Sequence, residues 1–171
     1  MNPRGIPLKI TARRNQSELQ KSRAYRIEGQ VAIHGNDNQP LLLEDSPSTI
    51  AIGNAELRLN SMVNQVLAQG LGQIVEWSRR EGEGLPIEVI KVMHRCWNDT
   101  RRIEFHATYL LDTNITSKLT MNALAEGNII SLRGRVVAYT NTWEIEVIDA
   151  GQDIRPRKFN SFISKAITLP F

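Results

Sequence analysis

The chain has 171 residues, of which 41% are hydrophobic and 23% are charged, a composition that supports a globular domain with a real core. No run approaches the roughly 18 apolar residues of a membrane-spanning helix, and the N-terminal residues lack the apolar stretch of a secretory signal. The single cysteine, Cys96, excludes an internal disulfide and a structural zinc site, so we expect a reducing, cytoplasmic location.

The charge is distributed in three blocks. Residues 1–26 carry seven bases and one acid (7 − 1 = +6), residues 27–153 carry ten bases and seventeen acids (10 − 17 = −7), and residues 154–171 carry four bases (+4), which gives the net +3. Basic chain ends commonly contact polyanions, because each cation near a phosphate releases condensed counterions. The pattern therefore favours a nucleic-acid partner, with Arg13 and Arg14 as candidate phosphate contacts. Solvated tails that only aid solubility are the alternative.

The first half of the chain is predicted to begin with a flexible arm and to continue as short strands. Residues 1–22 lack apolar periodicity, which is typical of a disordered segment. Alternate residues from Tyr25 to Ile33 are mostly apolar, which predicts a β-strand. Short apolar runs at Leu41–Leu43 and Thr49–Ile52 predict further strands.

Residues 55–81 carry apolar side chains at three- and four-residue spacings, which predicts a long amphipathic helix. The apolar stripe consists of Leu59, Met62, Val63, Val66, Leu67, Leu71, Ile74 and Val75. Gly70 and Gly72 weaken this helix. Such a stripe is most often buried in a core. Because so long a helix is hard to bury against a small domain, a homo-oligomer interface is the alternative.

Two hairpins separated by a short helix are predicted in the second half. Ile87–Cys96 and Arg101–Leu111 form the first hairpin, a short helix covers Thr113–Ala125, and Ile129–Tyr139 with Trp143–Ile148 form the second. An OB barrel has the order of three strands, a helix and two strands. We therefore expect a mainly β fold with helices (α+β), an OB-like five-stranded barrel with a long helical insertion. A small α+β sandwich is the alternative.

The predicted domain organisation follows from these elements. Residues 1–22 form a flexible basic arm, residues 23–151 form the OB-like domain with the helical insertion at about 55–81, and residues 152–171 form a basic C-terminal tail.

The segment Leu124–Val136 resembles the helix-to-strand-4 region of single-stranded DNA-binding proteins, both bacterial and replication-protein-A-like. It has Glu-Gly at the end of a helix, then an apolar strand that leads to Gly-Arg. Trp143–Val147 looks like the strand 5 of these proteins. The terminal Leu169-Pro170-Phe171 is similar to the Pro-Phe tip with which bacterial members recruit partner proteins, although a basic tail here replaces the usual acidic residues. The resemblance implies sequence-tolerant binding of single strands in DNA replication, recombination or repair, and a protein partner at residues 169–171.

The first predicted hairpin has an apolar and a basic side. A two-residue loop at Asn98-Asp99 places Ile90, Val92 and His94 on the core side. The opposite side collects Lys91, Met93, Arg95, Trp97, Arg102, Glu104, His106 and Thr108. Cations follow phosphates and a flat indole stacks on bases. The candidate nucleic-acid-binding residues are Lys91, Arg95, Trp97, Arg102 and His106. An ordinary solvent face of a half-buried sheet is the alternative.

The second predicted hairpin extends this candidate surface. Arg133, Arg135 and Tyr139 face outward, together with two glutamates that dilute the positive charge. Arginine and tyrosine suit phosphate contact and base stacking. Alternatively, Tyr139 and Trp143 cover one end of the barrel.

No residue set favours catalysis or metal binding. His34, His94 and His106 do not have zinc-ligand spacing, and His94 is expected to be a hydrogen-bonded interior residue. No glycine-rich loop is followed by the Lys-Ser/Thr of a phosphate-binding site. We therefore expect a non-enzymatic protein without cofactor that binds and protects single-stranded nucleic acid, DNA rather than RNA. The alternatives are a structural assembly protein with a basic arm and a helix-mediated interface, and a peptide-binding adaptor.

Overall fold

The structure is a computed structural model, and it describes residues 9–12, 19–20, 23–34, 39–44, 49–54, 66–81, 84–98, 101–139 and 141–152. The chain divides into two compact units. One comprises Met1–Leu67 with Ile163–Phe171, and the other comprises Ala68–Phe162.

The first unit contains short strands in two small sheets. The strands are β1 (Lys9–Ala12), β2 (Arg23–Arg26), β3 (Gly29–His34), β4 (Gln39–Glu44) and β5 (Ile50–Asn54). Strand β4 lies between β1 and β3, parallel to β1 and antiparallel to β3, while β2 pairs with β5. Residues 9–12, which the sequence analysis assigned to the flexible arm, therefore form a strand. The boundaries of the arm at residues 1–22 stay a prediction.

The predicted alternation in this unit is confirmed where the side chains are described. Tyr25 and Ile27 are buried two residues apart, and Gly29 is buried in the same phase. Leu41–Leu43 are buried along β4. Gly29 has to be glycine, because a Cβ there would overlap the backbone carbonyl of Leu43.

The second unit contains a closed five-stranded barrel. Its elements are β6 (Leu67–Arg80), β7 (Ile87–Asn98), β8 (Arg101–Leu111), α1 (Thr113–Thr116), β9 (Ile129–Tyr139) and β10 (Trp143–Gln152). The order around the barrel is β6-β7-β8-β10-β9, and β8 runs parallel to β10. Strand β6 closes the barrel beside β9, where the Ile74 backbone exchanges hydrogen bonds with Gly127 and Asn128. Three strands, a short helix and two further strands form the OB arrangement.

The predicted long helix over residues 55–81 is wrong. Residues 67–80 form β6, the first strand of the barrel, whereas residues 55–65 lie outside the described part of the chain. The expected fold class with a long helical insertion is therefore corrected to an almost entirely β fold. In the described residues, helix is limited to the four residues of α1. The predicted homo-oligomer interface on this helix is therefore not supported, because residues 67–80 form a strand.

The physical reason lies in the burial pattern and in the glycines. Buried residues in β6 alternate at Ala68, Gly70, Gly72 and Ile74, and a register shift after Ile74 ends the alternation. Of the described side chains that suggested a helical stripe, Ile74 is buried, while the others, such as Leu71, are only partly buried. Each glycine costs a helix about 1 kcal/mol relative to alanine. In the strand, the glycines make room for His94, because a Cβ on Gly70 would lie 2.9 Å from its Cε1 atom.

The barrel interior is apolar around one buried histidine, as predicted. His94 is fully buried, with its Nδ1 3.0 Å from the Leu71 carbonyl oxygen and its Nε2 2.9 Å from the Tyr109 hydroxyl. The carbonyl can only accept, so Nδ1–H donates to Leu71 and the Tyr109 hydroxyl donates to Nε2. The imidazole also stacks on Phe105 at 5.1 Å between ring centroids. The other interior side chains include Ile74, Ile90, Val92, Ala107, Leu111, Ile130, Leu132, Val136, Ile145 and Val147.

The short helix predicted at Thr113–Ala125 is observed as α1 followed by turns. Asp112 caps α1 by accepting a hydrogen bond from the Ile115 backbone N–H at 2.9 Å. Asn122 and Gly127 then adopt positive φ angles of 68° and 89°, which no helix tolerates in its interior. Within the described ranges, no helix is long and apolar enough to cross a membrane.

Candidate nucleic-acid interface

The β7–β8 hairpin separates an interior side from an outward side as the sequence predicts. Across the strands, Ile90 pairs with Tyr109, Val92 with Ala107 and His94 with Phe105, and all six are buried. Strand side chains alternate between the two faces, so the residues between them point outward. We call this outward side the outer hairpin face; its described side chains are Lys91, Met93, Arg95, Arg102, Glu104, His106 and Thr108, and Trp97 falls in the same phase of the strand register.

The register of this hairpin differs from the predicted one by two residues. Asn98 pairs with Arg101 and Trp97 with Arg102, whereas the predicted turn at Asn98-Asp99 pairs Trp97 with Thr100. A shift of two residues changes no side chain from one face to the other. It does change the cross-strand neighbours, because Arg95 now lies opposite Glu104.

The Glu104 carboxylate joins arginines from both strands. Its Oε1 is 2.9 Å from the Arg95 Nε and also contacts the Arg102 guanidinium. All three side chains are about half exposed. Hydrogen bonds from Arg102, and then from Arg95, hold the pKa of Glu104 below its ordinary value. The carboxylate therefore stays ionised and neutralises part of the positive charge.

The remaining predicted residues of this face are placed less closely together. Lys91 is 4.0 Å from the Glu76 carboxylate of β6, and His106 is exposed opposite Met93. Trp97 lies opposite Arg102 in the strand register, while its side chain is outside the described residues.

The β9–β10 hairpin has the outward arginines that the sequence predicts. Arg133 and Arg135 are exposed, and Arg135 lies opposite Glu146 in the register. Tyr139 packs edge-on against Trp143, with 5.7 Å between ring centroids, and Trp143 is buried. Because Tyr139 packs against Trp143 and is half-buried, it offers only part of its ring; that the pair covers a barrel end stays a prediction.

The Gly-Arg motif has a structural reason in this hairpin. A Cβ on Gly134 would overlap the carbonyl oxygen of Glu146 on β10, so only glycine fits there. Gly134 pairs with Val147 and Arg135 with Glu146 in unbroken register, and the side chain of Arg135 points outward. The motif thus combines a close backbone approach with an exposed cation.

Sequence reasoning missed a groove of about 380 Å³ at the end of the barrel. Trp77 of β6 lines it together with Glu88 and residues 116, 119, 120 and 122–125. The Trp77 indole N–H donates to the Glu88 carboxylate at 2.9 Å, and half of the side chain is exposed. Assignment of residues 55–81 to a helix hid this position.

Several predicted contact residues are not described by the structure. Arg13 and Arg14 lie outside the described residues, and so does the terminal Leu169-Pro170-Phe171. Where the structure does describe side chains, it brings together no group of three or more His, Cys, Asp or Glu that could hold a metal ion.

No protein-family model matches the chain, and a search of curated proteins finds no match. Among solved structures, the chain is similar to the small single-stranded DNA-binding protein of Streptomyces coelicolor, with a TM-score of 0.45 and 15% identity over 54% of this chain and 96% of that one. It is also similar to the PriB protein of Ralstonia solanacearum (TM-score 0.43, 17% identity, 51% of this chain and 96% of that one) and to the second single-stranded DNA-binding protein of Mycobacterium smegmatis (TM-score 0.43, 17% identity, 55% and 99%). The resemblance seen in the sequence thus appears again among solved structures, while the assignment of the barrel rests on its own strand order.

Proposed function

We propose that this protein binds single-stranded nucleic acid on the outer hairpin face and catalyses no reaction. The observation that carries the proposal is that outward cations collect on the second and third strands of the barrel. In OB folds these strands form the face that binds oligonucleotides. The protein would then work where single strands occur, in contact with intracellular nucleic acid.

The spacing of the cations suits an extended strand. Lys91 and Arg95 are four residues apart on β7, which separates them by about 13 Å along the strand. One phosphate cannot contact both, so each would meet a different phosphate. At the hairpin end, Trp97 and Arg102 are cross-strand neighbours, and an indole beside a guanidinium suits base stacking.

Other basic residues would add contacts without sequence preference. Arg133 and Arg135 would extend the surface onto β9, the strand that ends at the half-buried Tyr139. Arg13 and Arg14 would add phosphate contacts from the N-terminal part. We favour DNA over RNA as the ligand, and we assign residues 169–171 to a protein partner, so their deletion should leave oligonucleotide affinity unchanged.

The test is a fluorescence titration with oligo-dT, oligo-rU and a DNA duplex at salt concentrations from about 0.05 to 1 M. We expect both single strands to quench the tryptophan fluorescence and oligo-dT to bind most tightly. The affinity should fall steeply with salt. Trp97→Ala should weaken binding by about 1–3 kcal/mol, since one stacked base is lost. Trp77→Phe is the matched control, because Trp77 lies across from Ile90, away from the outer hairpin face.

A double variant decides whether this face is the interface. If Trp97→Ala with Arg95→Ala folds normally and binds oligo-dT as tightly as the unaltered protein, the outer hairpin face is not the binding surface. Equal affinity for duplex and single strands would contradict the stacking part of the proposal.

A further inference from the structure

The outer hairpin face contains its own anion at its centre. Glu104 contacts Arg95 on the neighbouring strand and Arg102 on its own strand through the same carboxylate oxygen. The two guanidinium groups therefore share one negative charge, and the cluster is one charge less positive than its arginines. Lys91 likewise lies near a carboxylate, that of Glu76 at 4.0 Å.

A carboxylate and a phosphate compete for the same donors. Guanidinium groups bind both anions through paired, charge-assisted N–H···O bonds. The Glu104 side chain is 42% exposed, and exposed ion pairs contribute little to stability, so an incoming phosphate can replace it. In the free protein the same carboxylate keeps the two arginines side by side.

We propose that Glu104 is an internal competitor of the nucleic-acid phosphate and sets the affinity and salt dependence of binding. The inference rests on the proposed function, because it assumes that phosphates contact the outer hairpin face. When a strand binds, a phosphate takes the place of the carboxylate on Arg95 and Arg102. A chain of many phosphates displaces Glu104 more readily than an isolated phosphate, since its other phosphates hold it on the face.

The expected effect of Glu104→Gln follows from counterion release. The amide has nearly the same shape but carries no charge, so the arginines can neutralise one additional phosphate. For single strands, one more phosphate contact steepens the slope of log K against log[salt] by about 0.7, which corresponds to about fivefold tighter binding at 0.1 M salt and almost no change at 1 M.

The measurement is the anisotropy of labelled oligo-dT, titrated with the full chain at several salt concentrations. Glu126→Gln is the matched control, because it makes the same charge change at an exposed site on the turns after α1. We expect Glu104→Gln to bind tighter and with a steeper salt slope than Glu126→Gln. A peptide nucleic acid of the same bases, which has no phosphates, should bind both variants equally.

The outcomes separate this inference from the proposed function. If Arg95→Ala weakens binding while Glu104→Gln matches Glu126→Gln, or binds more weakly, Glu104 does not compete with phosphate and the inference is overturned, although the face still binds. If neither Arg95→Ala nor Glu104→Gln changes the affinity, the face does not contact nucleic acid and the proposed function fails with the inference.

Discussion

Acid should destabilise the barrel through its buried histidine. His94 is fully buried and uses both ring nitrogens in hydrogen bonds, one to the Leu71 carbonyl and one to the Tyr109 hydroxyl. The pKa of His94 is lowered from 6.5 to about 4; burial is the largest cause, the Leu71 hydrogen bond opposes it in part, and the electrostatic effect of His106 adds to the lowering. Burial also raises the pKa of the Tyr109 hydroxyl, which therefore stays a donor.

The sign and size of the effect follow from proton linkage. Between pH 6.5 and pH 4 the unfolded chain binds a proton at His94 while the folded barrel does not, so the free energy of unfolding falls as the pH falls. Each unit of difference in pKa corresponds to about 1.4 kcal/mol, and the whole shift to about 3 kcal/mol. A domain of ordinary stability has about 5–15 kcal/mol, so the loss is large enough to measure.

The assay is urea unfolding of the full chain at pH steps between 7.5 and 4.5. His94→Gln should be less stable at pH 7, because it gives up the stacking on Phe105, but its stability should fall less with acid. Carboxylates titrate in both proteins, so the difference between the two slopes isolates His94. His106→Gln, at an exposed position, is the matched control. Its free energy of unfolding should depend on pH almost as in the unaltered protein, apart from the small effect of His106 on the pKa of His94.

Equal pH slopes for His94→Gln and the unaltered protein would refute the reasoning. If His94→Gln does not fold, the imidazole signals of the unaltered protein give the same answer by NMR. We expect one histidine to titrate near pH 4 in the folded state, and a His94 signal that titrates near 6.5 would equally refute it.

Further predictions concern packing, capping and the second hairpin. Gly72→Ala should lose about 1–3 kcal/mol of stability in thermal unfolding, because its Cβ would lie within 2.5–2.7 Å of atoms on β7, whereas Gly84→Ala, with open space around it, should stay within about 0.5 kcal/mol. Asp112→Ala should lose about 1 kcal/mol with the cap of α1, and Asp112→Asn should retain most of it; equal stabilities would contradict the cap. If Arg133 and Arg135 contact phosphates, replacing both by alanine should reduce the salt slope of oligo-dT binding by about 1.4, and an unchanged slope would exclude them.

Alternation along the strands made the faces of the hairpins predictable from the sequence. A side chain two residues away stays on the same face, so the interior position of His94 and the outward position of Arg95 are insensitive to a register error of two. The order of strands after Ile87 was equally predictable, because turn residues and apolar alternation mark each strand.

The register of the β7–β8 hairpin could not be obtained from the turn sequence. The ion pairs could not be predicted either, because they depend on the register. The predicted turn placed Arg95 opposite Arg102, two like charges that repel each other. The observed register places it opposite Glu104. Preference for opposite charges across the strands is the signal that could have decided between the two registers.

The first strand of the barrel was not predictable from apolar spacing. Leu71, Ile74 and Val75 fit a helical stripe, yet three of the four buried residues of β6 are alanine or glycine, and glycine contributes nothing to an apolar pattern. The requirement for Gly70 and Gly72 comes from His94, a residue more than twenty positions away. This requirement for glycine can be recognised only once the pairing of β6 with β7 is known.

The two sides of β7 connect stability and binding to different solution conditions. Acid acts on the interior, where His94 must stay neutral, while the low pKa of Glu104 keeps the outward ion pairs charged as the pH falls. Salt acts on the outward charges and leaves the apolar interior largely unaffected. A loss of oligonucleotide binding near pH 5 that follows unfolding, and that is smaller in His94→Gln, therefore comes from His94. A loss of binding with salt at neutral pH, without unfolding, comes from the outer hairpin face.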